Sequence, residues 1–284
     1  MANSIQLAQQ FVPVLDKVYK AACLTAVLDG NSELAKQGAT AHELVIPTLE
    51  MDGLGDYSRN SGYAAGDVTL TYQTVECNFD RGRMFTVDAM DDAESAGIAF
   101  GQLSGEFIRT KVAPELDAFR FASYASAEGV STASGALASG ADVVAALRTA
   151  VTKMDEDEVN PESRYLFITP TLKGMIEDME TTQSRQVMDG FAGVICVPQS
   201  RFYTAIDQAA DGAGGYSKAA EGKNINFMIL EKSAVIQYPK HIAPKIVAPE
   251  ENPDADAWKF GYRQVGIAQV SPAKSAGVYI HTAE

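Results

Sequence analysis

The chain has 284 residues, 46% of them apolar, with 37 acidic against 23 basic side chains and a formal net charge of −14. That length and apolar content suit one large domain or two medium ones, each with a core, and no run of about 18 uninterrupted apolar residues exists to span a membrane. The acidic balance, with no Lys/Arg cluster, argues against phosphate-driven nucleic-acid binding as the primary role, and three scattered cysteines (Cys23, Cys77, Cys196) fit small buried hydrophobes in a reducing compartment.

The first 20 residues lack the basic head and long apolar run of a secretion signal. Phe11, Val12, Leu15, Val18, Tyr19 and Ala22 recur at helical spacing, which predicts a short amphipathic helix over 5–28, with Pro13 early and a stop at Asp29-Gly30. Its single apolar stripe needs a surface, on its own domain or on a neighbour. Residues 42–50 and 68–79 read as strands. Between them, residues 52–67 (DGLGDYSRNSGYAAGD) hold almost nothing that a core could use. A structureless loop of this length is uncommon in a compact domain, so the stretch predicts a long two-stranded arm. Such an arm is marginal in water unless it lies on something, and the natural candidate is another copy of the same chain. Val68, Leu70 and Tyr72 alternate on one face, then the phase shifts to Val75, Cys77 and Phe79, which predicts a bulge near Thr74. Residues 80–83 read as a turn and 84–87 as a strand.

A long helix is predicted from Asp91 to about Ser126, with a stripe of Phe100, Leu103, Phe107, Val112, Leu116 and Phe119. As one helix it would be on the order of 50 Å long, with a kink or break at Pro114. Residues 127–140 form a small-residue connector, either loop or edge hairpin, and a candidate boundary. From Ala141 the pattern is α/β. A helix carries Val143, Val144, Leu147, Val151 and Met154, and residues 164–168 form a buried strand. Thr169-Pro170 opens a helix with Leu172, Met175, Ile176 and Met179, and strands follow at 193–197, 225–230 and 234–237. The Gly/Ala-rich stretch 209–222 reads as a flexible loop. In the β-rich tail, Trp258, Phe260 and Tyr262 share one face and Val278 and Ile280 another, after an acidic loop at 249–256. The tail is expected to return to the long helix, making the α/β unit an insertion.

The search for chemistry is mostly negative. His42, His241 and His281 have no His or Cys at ligand spacing, so no metal is expected. Gly212–Gly215 does not open a helix after a strand, and Gly222-Lys223 lacks the Ser/Thr and first Gly of a phosphate loop. Residues 155–158 (DEDE) lack the ligand order and Gly of a calcium loop and read as a solvated turn. No Gly-x-Ser-x-Gly elbow is present. No cofactor and no enzyme activity are expected.

The order of parts is arm, extended loop, long helix, α/β unit and returning β tail. GLGDYSRNSGYAAGDVTLTYQTVE, DRGRMFTVDAMDDAES, VAPELDAFRFASYA (with Pro114, Asp117 and Arg120) and LFITPTLKGMI carry this order. In it the chain resembles the major capsid proteins of tailed bacteriophages with the Hong Kong 97-type fold. The resemblance implies an α+β chain with an N-terminal arm (1–40), an extended loop (41–90), a peripheral domain with the spine helix (91–140 and 245–284) and an axial domain (141–244). It implies self-assembly through hexamers and pentamers into an icosahedral virion shell around double-stranded DNA, without sequence-specific contact and without a membrane, made in the host bacterial cytoplasm. Scaffolding, portal and decoration proteins are further partners of such shells. With no helical prefix before the arm, a separate scaffolding protein or none is expected. Candidate intersubunit contacts are Asp56, Tyr57, Arg59, Arg81 and Arg83 on the arm and Glu250, Glu251, Asp254 and Asp256 in the acidic loop, because Arg pairs well with carboxylates. A bacterial nanocompartment shell of the same fold and an oligomeric α/β enzyme stand as alternatives.

Overall fold

A computed structural model describes residues 22–30, 36–37, 43–57, 59, 62–63, 65–94, 103, 105–209 and 214–283. The expected helix over 5–21, His42 and Phe100 lie outside these residues.

The predicted arm is an antiparallel ladder of β2 (Glu43–Met51) and β3 (Val68–Glu76), edged by the two-residue β1 (Lys36–Gln37). No bulge occurs at Thr74: pairing runs without a register shift from Glu43↔Glu76 to Met51↔Val68. The change of phase reflects two different surroundings instead. Val75 is buried against Ile236 and Ile267 at the root of the arm, whereas Val68, Leu70 and Tyr72 lie on the opposite face and are more than half exposed. Successive side chains of a strand point to opposite faces, so one unbroken strand serves both.

The expected turn at 80–83 is also corrected. Residues 80–83 are the middle of β4 (Phe79–Asp88), which pairs with β12 (Ala257–Val270), Gly82 standing opposite Arg263. An added Cβ at Gly82 would press on the Tyr262 carbonyl oxygen at 2.8 Å, so the glycine that looked like a turn signal serves close strand approach. With β11 (Val235–Val247) these strands form a three-stranded antiparallel sheet, ordered β11-β12-β4, with a bulge between Pro239 and His241.

After the short helix α1 (Ala89–Glu94), the spine is helical over residues 105–125. It is α-helical except for a π-helical stretch, Ile108–Val112, directly before α2 (Ala113–Ala125). The expected break at Pro114 is thereby avoided. Proline lacks an N–H and crowds the carbonyl one turn back, and the wider π turn accommodates both. Leu116, Ala113 and Ile108 face the three-stranded sheet through Phe79, Phe260 and Tyr262. Phe121 and Tyr124 face a second sheet.

That second sheet has the order β5-β13-β10-β6-β7, from β5 (Ser131–Ser134), β6 (Arg164–Ile168), β7 (Gly193–Cys196), β10 (Ile225–Glu231) and β13 (Val278–Thr282). It draws strands from outside residues 141–244. The connector contributes β5, an edge strand parallel to β13, and the end of the tail contributes β13 itself. Of the tail, Ala257–Val270 and the last residues of β11 join the sheet that lies on the spine. Leu166, Ile168, Phe227, Ile229 and Tyr279 point to the helices α3 (Gly140–Glu156), α4 (Pro170–Glu177) and α5 (Thr182–Asp189). Phe167, Met228, Leu230, Val278 and Ile280 point to the spine. Burial on both faces explains why these strands read as continuous apolar runs. Ser139 and Asp142 close a reciprocal capping box at the start of α3. The acidic run at 155–158 is not wholly solvated, since Asp155 accepts from buried Arg164 at 2.6 Å.

Candidate assembly interface

The exposed surface of interest begins at the arm. Leu54 and Tyr63, at the tip, are almost wholly exposed, and Tyr57, Met51, Val68, Leu70 and Tyr72 are each more than half exposed. The register sets Met51 opposite Val68, so Met51, Val68, Leu70 and Tyr72 form an apolar row along one exposed face. The tip is closed by its own hydrogen bonds: the Asp67 N–H donates to the Asp52 carboxylate at 2.9 Å, and the Asp52 N–H to the Asp67 carbonyl at 3.2 Å. Beyond this neck the Tyr57 and Tyr63 rings meet edge to face at 5.0 Å. Asp56 and Arg59 are exposed beside them.

Arg81 and Arg83 belong to β4, outside the arm ladder. The Arg81 guanidinium pairs with Glu115 on the spine at 2.6 Å and donates to the Ala209 carbonyl at 2.9 Å. Burial pushes the Glu115 carboxyl up, against the opposing pull of Arg81. Arg81 is therefore a tie between β4, the spine and the hairpin of β8 (Ile206–Gln208) and β9 (Tyr216–Lys218). Within the stretch expected to be a flexible loop, residues 216–218 are strand β9, while residues 210–213 lie outside the described residues. Gly214 and Gly215 are both at positive φ, and Gly214 lies against the Arg83 guanidinium on β4. Arg83 is exposed, its guanidinium 6.0 Å from the Phe85 ring. Glu250 and Glu251 lie exposed in a 3₁₀ turn, and Asp254 is held by Lys259 at 2.5 Å. Asp256 is exposed and its carbonyl accepts from Ala89 N–H at 3.0 Å. The structure thus brings Asp56, Tyr57 and Arg59 together at the tip, Arg81 and Arg83 at the spine, and the four carboxylates at the far end of the β4–β12 ladder.

A buried polar clasp was not foreseen. Asp117, fully buried on the spine, accepts from the Leu24 and Thr25 N–H groups at 3.0 and 3.1 Å, from the Thr25 hydroxyl at 2.8 Å, from the Cys23 thiol at 3.2 Å and from Arg201 at 3.2 Å. One turn on, Arg120 donates to Thr25 Oγ1 at 2.8 Å and pairs with Asp29 at 3.3 Å. Gln237 donates to the Thr25 carbonyl and to Asp29, and accepts from Tyr124 at 2.5 Å. Residues 22–30, where Leu24–Leu28 form a 3₁₀ turn, therefore pack on their own subunit. The signal available in the sequence was two ionisable residues, Asp117 and Arg120, on the buried side of an apolar helix, since such residues are seldom buried without partners.

Among the described residues no group of three His, Cys, Asp or Glu is placed to hold a metal ion, and no helix is long and apolar enough to cross a membrane.

No family model matches the sequence, and no curated protein matches it. Solved structures do match. The capsid structure of the cyanophage P-SCSP1u is 13% identical with a TM-score of 0.58, covering 87% of this chain and 85% of that one. A chain of Mycobacterium phage Che8 is 12% identical with a TM-score of 0.57, covering 89% of both. The chain has the Hong Kong 97-type capsid fold. The likeness to tailed-phage major capsid proteins noted in the segment order is thus also a likeness in three dimensions, extending over most of the chain. A virus-like particle from Pyrococcus furiosus also shares the fold, at 8% identity and a TM-score of 0.52, covering 84% of this chain and 86% of that one.

Proposed function

We propose that this chain is the major shell subunit of a tailed bacteriophage: copies assemble through hexamers and pentamers into an icosahedral capsid around double-stranded DNA. The observation that carries this reading is the apolar row on the arm. Fully burying an exposed Leu, Val or Met side chain is worth about 1.5–3 kcal/mol, and the apolar row, more than half exposed at each position, gains only part of this on its own subunit. A two-stranded ladder reaching into water is marginal alone, and a neighbour supplies the missing surface. Several interfaces per subunit then sum over a lattice, although ordering costs offset part of each. Asp56, Tyr57, Arg59, Arg83, Glu250, Glu251 and Asp256 are the exposed intersubunit contacts in this reading. Arg81 and Asp254 act by holding β4 and the acidic loop in shape.

The DNA is held without base-specific contact, which suits an acidic chain. Scaffolding, portal and decoration proteins would meet the assembled lattice, and assembly would take place in the host bacterial cytoplasm before the virion leaves. The chain does no chemistry in this role. To test the reading, residues 53–66 are replaced by a short turn and Val68, Leu70 and Tyr72 by Thr. The expected product is a folded, soluble subunit that forms no particles. Normal particles from that variant would overturn the reading. The likeness to a virus-like particle favours a second reading, a nanocompartment shell. Particles that co-purify with a specific protein and no DNA would select it.

A further inference from the structure

The arm leaves its subunit through two strands, and each is pinned at the root by one side chain. β3 runs through Cys77 and Asn78 into β4. The Asn78 amide uses both ends on one residue of β12: Nδ2 donates to the Ala268 carbonyl at 2.7 Å and Oδ1 accepts from the Ala268 N–H at 3.0 Å. The β4–β12 ladder stops at Phe79↔Gly266, so this side chain carries the pairing past the end of the backbone ladder. On the other side, the pairing of β11 passes from Pro239↔Gly266 to His241↔Val265, which leaves Lys240 as the extra residue of the bulge. A bulge re-aims a side chain, and the Lys240 ammonium donates to the carbonyl of Glu43, the first residue of β2. Between the pins, Cys77 and Tyr238 pack on Val75, Ile236 and Ile267. The Tyr238 ring also covers Gly30, where an added Cβ would lie 2.5 Å from it, so the segment held by the polar clasp meets the arm root through one ring.

Neither pin is needed to close a sheet, since the β11–β12 and β4–β12 ladders pair along their length without them. Resting on the assembly reading above, we infer that Asn78 and Lys240 are positioning residues that fix the direction in which the arm leaves the subunit, so that a neighbour meets it already aimed. One attachment alone would leave the ladder free to swing about residues 77–78. Attachments on adjacent strands, about 4.8 Å apart, oppose that swing. An arm held in one direction before contact has already lost part of the freedom that association would otherwise cost, and the gain recurs at every arm of the lattice.

The direction is measured first in the isolated subunit. Spin labels are placed through V68C, at the outer end of the ladder, and T86C, exposed on β4, in a full chain whose Cys77 and Cys196 are replaced by Ser. The label-to-label distance is expected to be narrowly distributed in that chain. K240A and N78A, singly and together, are expected to widen the distribution while the circular dichroism spectrum stays that of the reference, and K240R is expected to keep it narrow. With the native cysteines and no labels, the double variant is expected to lose particle yield by about ten-fold and to give a broader range of diameters, read by electron microscopy. An unchanged distance distribution in the double variant, or normal particles from it, overturns the inference and leaves the shell reading standing. K240A and K240R decide the matter even where N78A does not fold: equal distributions from the two overturn the inference. A wild-type chain that never assembles overturns the shell reading, while the distances in the isolated subunit still support or overturn the pins.

Discussion

Asp117→Asn is the substitution whose consequence the structure specifies most fully. The carboxylate accepts from four donors of residues 23–25 and from Arg201. The amide keeps one acceptor oxygen but turns an N–H₂ toward donors, wherever it points. Hydrogen bonds to a charged group are worth about 1.5–3 kcal/mol each, and a sum over five would overshoot because they share one anion. Removing one partner of a buried charged cluster costs about 3–5 kcal/mol, which is the expected loss here. For a chain of this size that lowers the melting temperature by on the order of 10 °C. Cys23 gives a local reading of the same event. Burial and the Asp117 charge push its thiol up to about 12, so in the native protein it is expected to resist thiol reagents that reach the half-buried Cys77 and Cys196. In D117N all three cysteines are expected to label without denaturant, and the urea midpoint is expected to fall. A variant that keeps Cys23 protected and unfolds within about 1 kcal/mol of the wild type would refute the clasp as the anchor of residues 22–30.

Acid and packing give further outcomes. Burial holds the His281 imidazole below 6.5, and only the neutral ring can accept at Nδ1, 3.1 Å from the Asn226 amide. The unfolded chain binds the proton first, so stability complete above about pH 6.5 is lost as pH falls, and thermal melts from pH 7 to 5 should flatten in H281Q. Glu231 behaves similarly at lower pH. Burial alone would raise its carboxyl, but hydrogen bonds from Ser163 at 2.6 Å and Ser233 at 2.7 Å, with Lys274 nearby, outweigh burial and hold it below 4.5. Its contribution is present above that value and disappears as pH falls through the depressed one, so E231Q should lose stability at pH 7 and little in acid. At Gly140 an added Cβ would overlap the Met175 carbonyl oxygen. G140A should therefore cost about 1–3 kcal/mol, measured by urea unfolding, by forcing α3 away from α4.

Local chemistry was readable in the sequence, and long-range pairing was not. The runs around Leu166–Ile168 and Phe227–Leu230 announced buried strands, and Thr169-Pro170 announced a helix start. The arm was legible because residues 52–67 had nothing to bury. Three misreadings share one cause. The glycine of β4, the phase change at Val75 and the small residues at 131–134 each take their meaning from a partner far along the chain: Arg263 for Gly82, Ile236 and Ile267 for Val75, and Tyr279–Thr282 for β5. Pro114 misled because a π turn absorbs it. Arg81 looked like a free surface charge, since nothing local marked Glu115 as its partner. The clasp was hidden because Thr25, Asp117, Arg201 and Gln237 lie far apart in sequence, and no local period links them.

Electron microscopy of the purified full-length chain at rising concentration tests the central claim most directly. The account predicts closed shells, tubes or six-fold rings, in which the exposed row of the arm is covered by adjacent subunits. A chain that remains a stable, folded monomer at every concentration and ionic condition, with Leu54, Tyr63 and Leu70 still open to solvent, would contradict it.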